Sequence, residues 1–229
     1  DAVTHRAIAW GGGHSTYAGL EYDTFDLLSN RWLLQNHPIS YPPRWWHGKS
    51  NCPPGLTPDG VNYVPGHSRR GYGVDPISGC VVTCGGDVFD IKTRRFIKKI
   101  RKSPFTNSGW GNPANVTTPQ GLYMVGSMQR NGKGASGIAR VNVKDAKWEV
   151  ILKDGGPGHH EFDHMCYDSK RNRILHFGMK SRRIHTFDLK TKKWQRVKEA
   201  AKGPAKYTGG SCYVPVSDAV CQIMSTDRR

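Results

Sequence analysis

The stretch Phe187-Asp-Leu-Lys-Thr-Lys-Lys-Trp194 decides the fold. It runs from an apolar residue through Asp and a second apolar residue, then turn formers and cations, to a large ring. An Asp at a strand end bonds backbone amides a few residues on and opens a turn, and Thr inside the turn supports it. The segment therefore predicts a tight β-hairpin whose second strand opens with a ring. Three other segments align with it without a gap: Phe25-Asp-Leu-Leu-Ser-Asn-Arg-Trp32, Phe89-Asp-Ile-Lys-Thr-Arg-Arg-Phe96 and Val141-Asn-Val-Lys-Asp-Ala-Lys-Trp148. Their starts lie 64, 52 and 46 residues apart, so the chain is built from repeats.

A second strand pair precedes most of these hairpins. Tyr72-Gly-Val-Asp75 and Cys80-Val-Val-Thr-Cys84 flank a turn at 76–79, and His164–Asp168 and Arg173–Phe177 flank a turn at 169–172. A looser pair joins Asn115-Val-Thr117 to Leu122–Val125 through Pro119-Gln-Gly121. Strand, turn, strand, hairpin makes four antiparallel strands per unit, the blade of a β-propeller. No single blade buries both of its faces, so radial repetition suits the pattern. The expectation is an all-β chain of about four to five four-stranded blades. They form one domain over 1–229, with units near 7–35, 67–101, 114–152, 162–198 and 209–225 and an insertion at 36–66. No run reaches the roughly 18 apolar residues of a membrane-spanning helix. Gly 27, Pro 14 and 10% aromatic residues point to a turn-rich folded protein rather than a coiled coil or helix bundle.

Gly12-Gly13 and Gly85-Gly86 end the second strands of their units, and a ring begins the fourth strand. This combination resembles kelch repeats. The stretch Trp10-Gly-Gly-Gly-His-Ser-Thr-Tyr-Ala-Gly19, leading to Phe25-Asp26 and Trp32, is similar to bacterial kelch-type proteins and the galactose-oxidase-like propeller family. The doublet is degraded at Gly126-Ser127 and Gly178-Met179. The resemblance implies a kelch-type propeller with Phe25, Trp32, Phe89, Phe96, Val141, Trp148, Phe187 and Trp194 as its structural positions, the four outer residues being buried between blades. Its copper-radical branch implies a tyrosine cross-linked to cysteine, a second tyrosine and two histidines. That set does not map onto this sequence.

The first unit starts at a second strand, Ala7–Trp10, and the last holds two strands, Ser211–Val214 and Ala219–Ile223. Unpaired sheet edges are avoided in folded proteins. Three arrangements satisfy this: a piece of a larger propeller, completion by another chain, or a four-blade ring closed by the C-terminal strand. One terminal strand is expected to pair outside its own unit.

Chemistry is expected from the connections between blades. They contain His67, Arg69 and Arg70, then Trp110, then His159, His160 and Glu161, then Tyr207, all candidate ligand-binding residues. His160 and His164 would share one face of an extended segment and are the candidate ligands for copper or zinc, while His159, Glu161 and Asp163 face the other way. No nucleophile triad, phosphate loop or paired-carboxylate motif appears, so no catalytic residue is assigned. The net charge of +16 concentrates in 92–102 and 180–206, on the outer strands, and suits an acidic protein or anionic polysaccharide. No nucleic-acid module accompanies it. Among six cysteines, Cys212 and Cys221 lie symmetrically about the last turn and are the disulfide candidates. With Asn115-Val-Thr117, a formal glycosylation triplet, they favour a secreted, periplasmic or cell-surface location. The reading is a non-catalytic binding scaffold without a cofactor, and a subunit of a larger assembly. The alternative is a metal-dependent enzyme at the His-rich connection.

Overall fold

A computed structural model describes residues 6–10, 22–34, 72–92, 95–100, 102–105, 113–128, 136–158, 163–178, 181, 183–197 and 208–224. Its strands form five antiparallel sheets. The first contains β1 (Arg6–Trp10), β2 (Tyr22–Asp26) and β3 (Arg31–Leu34). The second contains β4 (Tyr72–Asp75), β5 (Cys80–Thr83), β6 (Asp87–Asp90) and β7 (Arg95–Lys99). The third contains β8 (Ala114–Thr118), β9 (Gly121–Gly126), β10 (Gly137–Asn142) and β11 (Lys147–Leu152). The fourth contains β12 (His164–Asp168), β13 (Arg173–Gly178), β14 (Arg183–Asp188) and β15 (Lys193–Arg196), and the last β16 (Thr208–Val214) and β17 (Ala219–Met224). Strand order follows chain order in every sheet. The first strands β4, β8, β12 and β16 neighbour one another in succession. This is the all-β, radial arrangement of a propeller.

The four aligned segments form four hairpins in one register. Phe25 pairs with Trp32, Phe89 with Phe96, Val141 with Trp148 and Phe187 with Trp194. The Asp or Asn explains each turn. Asp26 Oδ1 accepts from the amides of Leu28 and Ser29, and Asp188 Oδ1 from those of Lys190 and Thr191 at 2.9 and 2.7 Å. Asn142 Oδ1 does the same for Asp145. The last turn residue then adopts a left-handed conformation, with φ of 54° at Asn30, 50° at Ala146 and 57° at Lys192. Asp75 and Asp168 cap the turns between first and second strands in the same way.

Three apolar layers hold neighbouring sheets together. Val82, Val88 and Ile100 of the second sheet meet Leu122, Met124 and Val141 of the third. Val116, Val125 and Ile138 of the third meet Met165, Ile174 and Phe187 of the fourth. Cys166, Leu175 and Phe177 of the fourth meet Tyr213 and Val220 of the last. Burying a side chain such as Phe187 fully contributes about 1.5–3 kcal/mol.

The second glycine of the doublet has a visible use. Gly86 has φ of 87°, and its carbonyl accepts from the amide of Ile100 at 2.7 Å. A Cβ there would collide with the carbonyl oxygen of Ile100, so only glycine lets the end of β7 return across the end of β5.

Two expectations change. Trp32 is 64% exposed instead of buried between blades. Trp148 and Trp194 are half-buried because each lies on the sheet before its own: Trp148 meets Phe105 edge-on, and Trp194 joins the layer with Ile151 and Leu152. No sheet precedes the first among the described residues. Nor does either terminal strand pair outside its own sheet there: β1 bonds to β2 and β17 to β16.

Candidate functional site

All eight expected ligand-binding residues lie outside the described residues: His67, Arg69, Arg70, Trp110, His159, His160, Glu161 and Tyr207. Each stands in a connection from the last strand of one sheet to the first strand of the next. The short Asp-capped turns, which join first to second and third to fourth strands, lie together at one end of each sheet. The expected metal residue His164 opens β12, pairs with Phe177 and is buried.

Next to it the structure brings together a polar group that the repeat pattern does not reveal. His176 on β13 is fully buried, and its Nε2 lies 3.3 Å from Oδ2 of the buried Asp163. That separation suits an ion pair when the ring is protonated, but it is not aligned as a hydrogen bond. His185, cross-strand from His176, has its ring centre 6.2 Å away, and the Trp194 ring is 6.0 Å away. Burial pushes the His185 pKa down, helped by His176, Arg196 and Arg183, while Asp163 opposes. Among the described residues, no three histidine, cysteine, aspartate or glutamate side chains are arranged to hold a metal ion. The available signal was a histidine in the otherwise apolar run Ile174-Leu-His-Phe177, since buried polar side chains in strands need partners.

At the short-turn end, polar clasps join successive sheets. Thr117 Oγ1 donates to the Val74 carbonyl at 2.7 Å, and Gln120 Nε2 to Asn172 Oδ1 at 3.2 Å. Both Arg171 terminal nitrogens donate to Asp218 at 2.7 Å. Burial would raise the Asp168 pKa, but bonds from the Arg173 guanidinium and from the Arg171 amide and guanidinium hold it below the usual range. Asp218 is held well below that range by Arg171, Tyr213 and Lys170.

The fourth outer hairpin differs. Arg183, Lys190, Lys192, Lys193 and Arg196 are all exposed, and none has an ion-pair partner among the described residues. Asp188, the carboxylate inside the hairpin, spends Oδ1 on backbone amides of the turn. Elsewhere Lys99 meets Asp87, Lys147 meets Asp145, and Lys170 meets Asp218.

The arrangement defines a propeller-type repeat array. No protein-family model and no curated protein matches the chain. Among solved structures it is similar to an auxiliary nutrient binding protein from Bacteroides thetaiotaomicron, with 10% identity and a TM-score of 0.48 over 93% of this chain and 55% of that one. It is also similar to a candidate gluconolactonase, with 12% identity and a TM-score of 0.46 over 97% of this chain and 76% of that one. The chain thus spans about half the length of the first. No described helix is long and apolar enough to cross a membrane.

Proposed function

We propose that this chain is a non-catalytic binding scaffold, a kelch-type propeller that presents loops and a basic rim to a partner protein or anionic glycan. It acts as a secreted, periplasmic or cell-surface protein and as a subunit of a larger assembly. The observation that carries the reading is the set of five exposed cations on β14–β15 without ion-pair partners among the described residues. Like charges on one hairpin repel each other, and an anionic partner converts that cost into attraction. Kelch character is supported by the four cross-strand pairs and by the close approach at Gly86.

Binding to a sulfated polysaccharide and to a neutral one of equal length tests the proposal, with the triple change Lys190→Glu, Lys192→Glu and Lys193→Glu. Binding should be confined to the sulfated polymer, weaken with salt and be lost in the triple variant. Equal binding to the neutral polymer, or no effect of the charge reversal, would overturn the polysaccharide reading. Capture of an acidic protein through the same lysines would assign the rim to a protein partner instead.

A second reading is favoured by the buried Asp163–His176 pair at the entry to β12. Here His160 and His164 hold copper or zinc in a metal-dependent enzyme. Stoichiometric metal in the purified protein, lost in His160→Ala and His164→Ala, would support it. Metal-free protein that refuses added zinc and copper would end it.

A further inference from the structure

We propose that Cys212 and Cys221 form a dithiol–disulfide couple on the outer face of the last hairpin and exchange electrons with small-molecule disulfides. The two residues are direct cross-strand partners, both are exposed, and both thiols are free. Opposed residues in an antiparallel pair have Cα atoms about 4.5–5.5 Å apart, inside the span of about 4.4–6.8 Å that a disulfide accepts. The register therefore places the two residues within the Cα spacing that a disulfide spans.

The face on which the thiols stand follows from strand alternation. Tyr213 and Val220, one residue along on each strand, pack toward Cys166, Leu175 and Phe177 of the fourth sheet. Ser211, two residues before Tyr213, turns the same way, and its hydroxyl is buried. With a side-chain period of two, Cys212 and Cys221 point to the opposite, open face. The remaining described thiols are unsuited to exchange. Burial pushes Cys166 up to about 12 and raises Cys80 and Cys84, which suppresses the thiolate that attacks.

The exchange balances in two steps. One thiolate attacks a sulfur of the small disulfide, whose S–S bond breaks; a protein–small-molecule disulfide forms and the first small thiolate leaves. The second protein thiolate attacks the protein sulfur of that bond and expels the second small thiolate. Two protein thiols lose two electrons and two protons, and one small disulfide becomes two thiols.

The test uses the full chain with oxidised glutathione, followed by peptide mapping without reduction. The expected product is a peptide pair linked through Cys212 and Cys221, lighter by two hydrogens and restored by excess reduced glutathione. Cys221→Ser should trap one glutathione on Cys212, and the double Cys212→Ser/Cys221→Ser chain should melt like the reduced protein. Separate glutathione adducts on both residues, a bond from either to Cys52 or Cys166, or no oxidation would each overturn the couple. The mapping of the unaltered chain decides the matter even where a variant fails to fold.

Discussion

The first and fourth outer hairpins share one local design and end in different environments. Phe25 and Trp32 meet with ring centres 5.2 Å apart, and Phe187 and Trp194 with 5.0 Å. Yet Phe187 is fully buried and Trp194 half-buried, whereas Trp32, Leu27 and Leu28 are 64%, 59% and 76% exposed. The hairpin register is local property, written in the Asp-capped turn. Burial of the outer ring is supplied by the sheet before it, which the first hairpin lacks among the described residues.

The largest expected effect separates the two hairpins by stability. Phe187→Ala should cost about 3–5 kcal/mol, the range for emptying a buried aromatic site, whereas Phe25→Ala, at a half-buried ring, should cost about 1–1.5 kcal/mol. Urea unfolding of both variants checks this. Equal costs would mean that the first hairpin is packed as firmly as the fourth.

Next comes the acid capping the inner turn of the fourth sheet. Asp168→Ala leaves Arg171 and Arg173 without their buried carboxylate. Breaking a buried pair costs about 3–5 kcal/mol, and the partial exposure of both arginines reduces the expectation to about 2–3 kcal/mol. Unchanged thermal unfolding would show that the turn is held by its backbone alone.

A smaller effect follows from His185. Its folded pKa lies below the ordinary value of 6.5, so the folded state binds fewer protons than the unfolded one as pH falls through that interval. Its contribution is complete above about 6.5 and is lost on acidification toward the lowered value. Stability measured from pH 7 to 5 should therefore decline, and His185→Gln should flatten the slope. The depressed pKa values of Asp168, Asp188 and Asp218 act lower, below the ordinary 3.8, where protonation removes their bonds. A slope unaltered by His185→Gln would assign the decline to other groups.

The smallest expected effect is that of Trp32→Ala, within about 0.5 kcal/mol as for other surface changes. Loss of this ring should nevertheless remove more of the tryptophan fluorescence quenched by iodide than loss of the half-buried Trp194.

These contrasts mark where sequence reading succeeds. Phe89, Val141 and Phe187 sit where the repeat alignment puts them because two-residue alternation and an Asp-capped turn are properties of a few adjacent residues. Cys212 and Cys221 were placed opposite each other by symmetry about one turn, again a local matter. Trp32 was misjudged because its exposure depends on a neighbour from outside the hairpin. His176 and His185 are not legible in the sequence because nothing in a strand pattern says which polar strand residue meets a carboxylate; Asp163 does so only after β12, β13 and β14 pair. The eight proposed binding residues follow from their place in the connections between blades, and all of them stand outside the described residues.

The unbroken strand order within each sheet has a kinetic consequence. Among the described residues every ladder joins strands adjacent along the chain, so within each of these sheets no pairing has to await the return of a remote segment. Loop-closure entropy is then modest, and folding speed rises as contacts become more local. Each sheet can zip hairpin by hairpin as it leaves the ribosome, and only docking onto the preceding sheet must wait. For an all-β protein of this length, the slow step should be the stacking of finished sheets rather than the pairing of their strands.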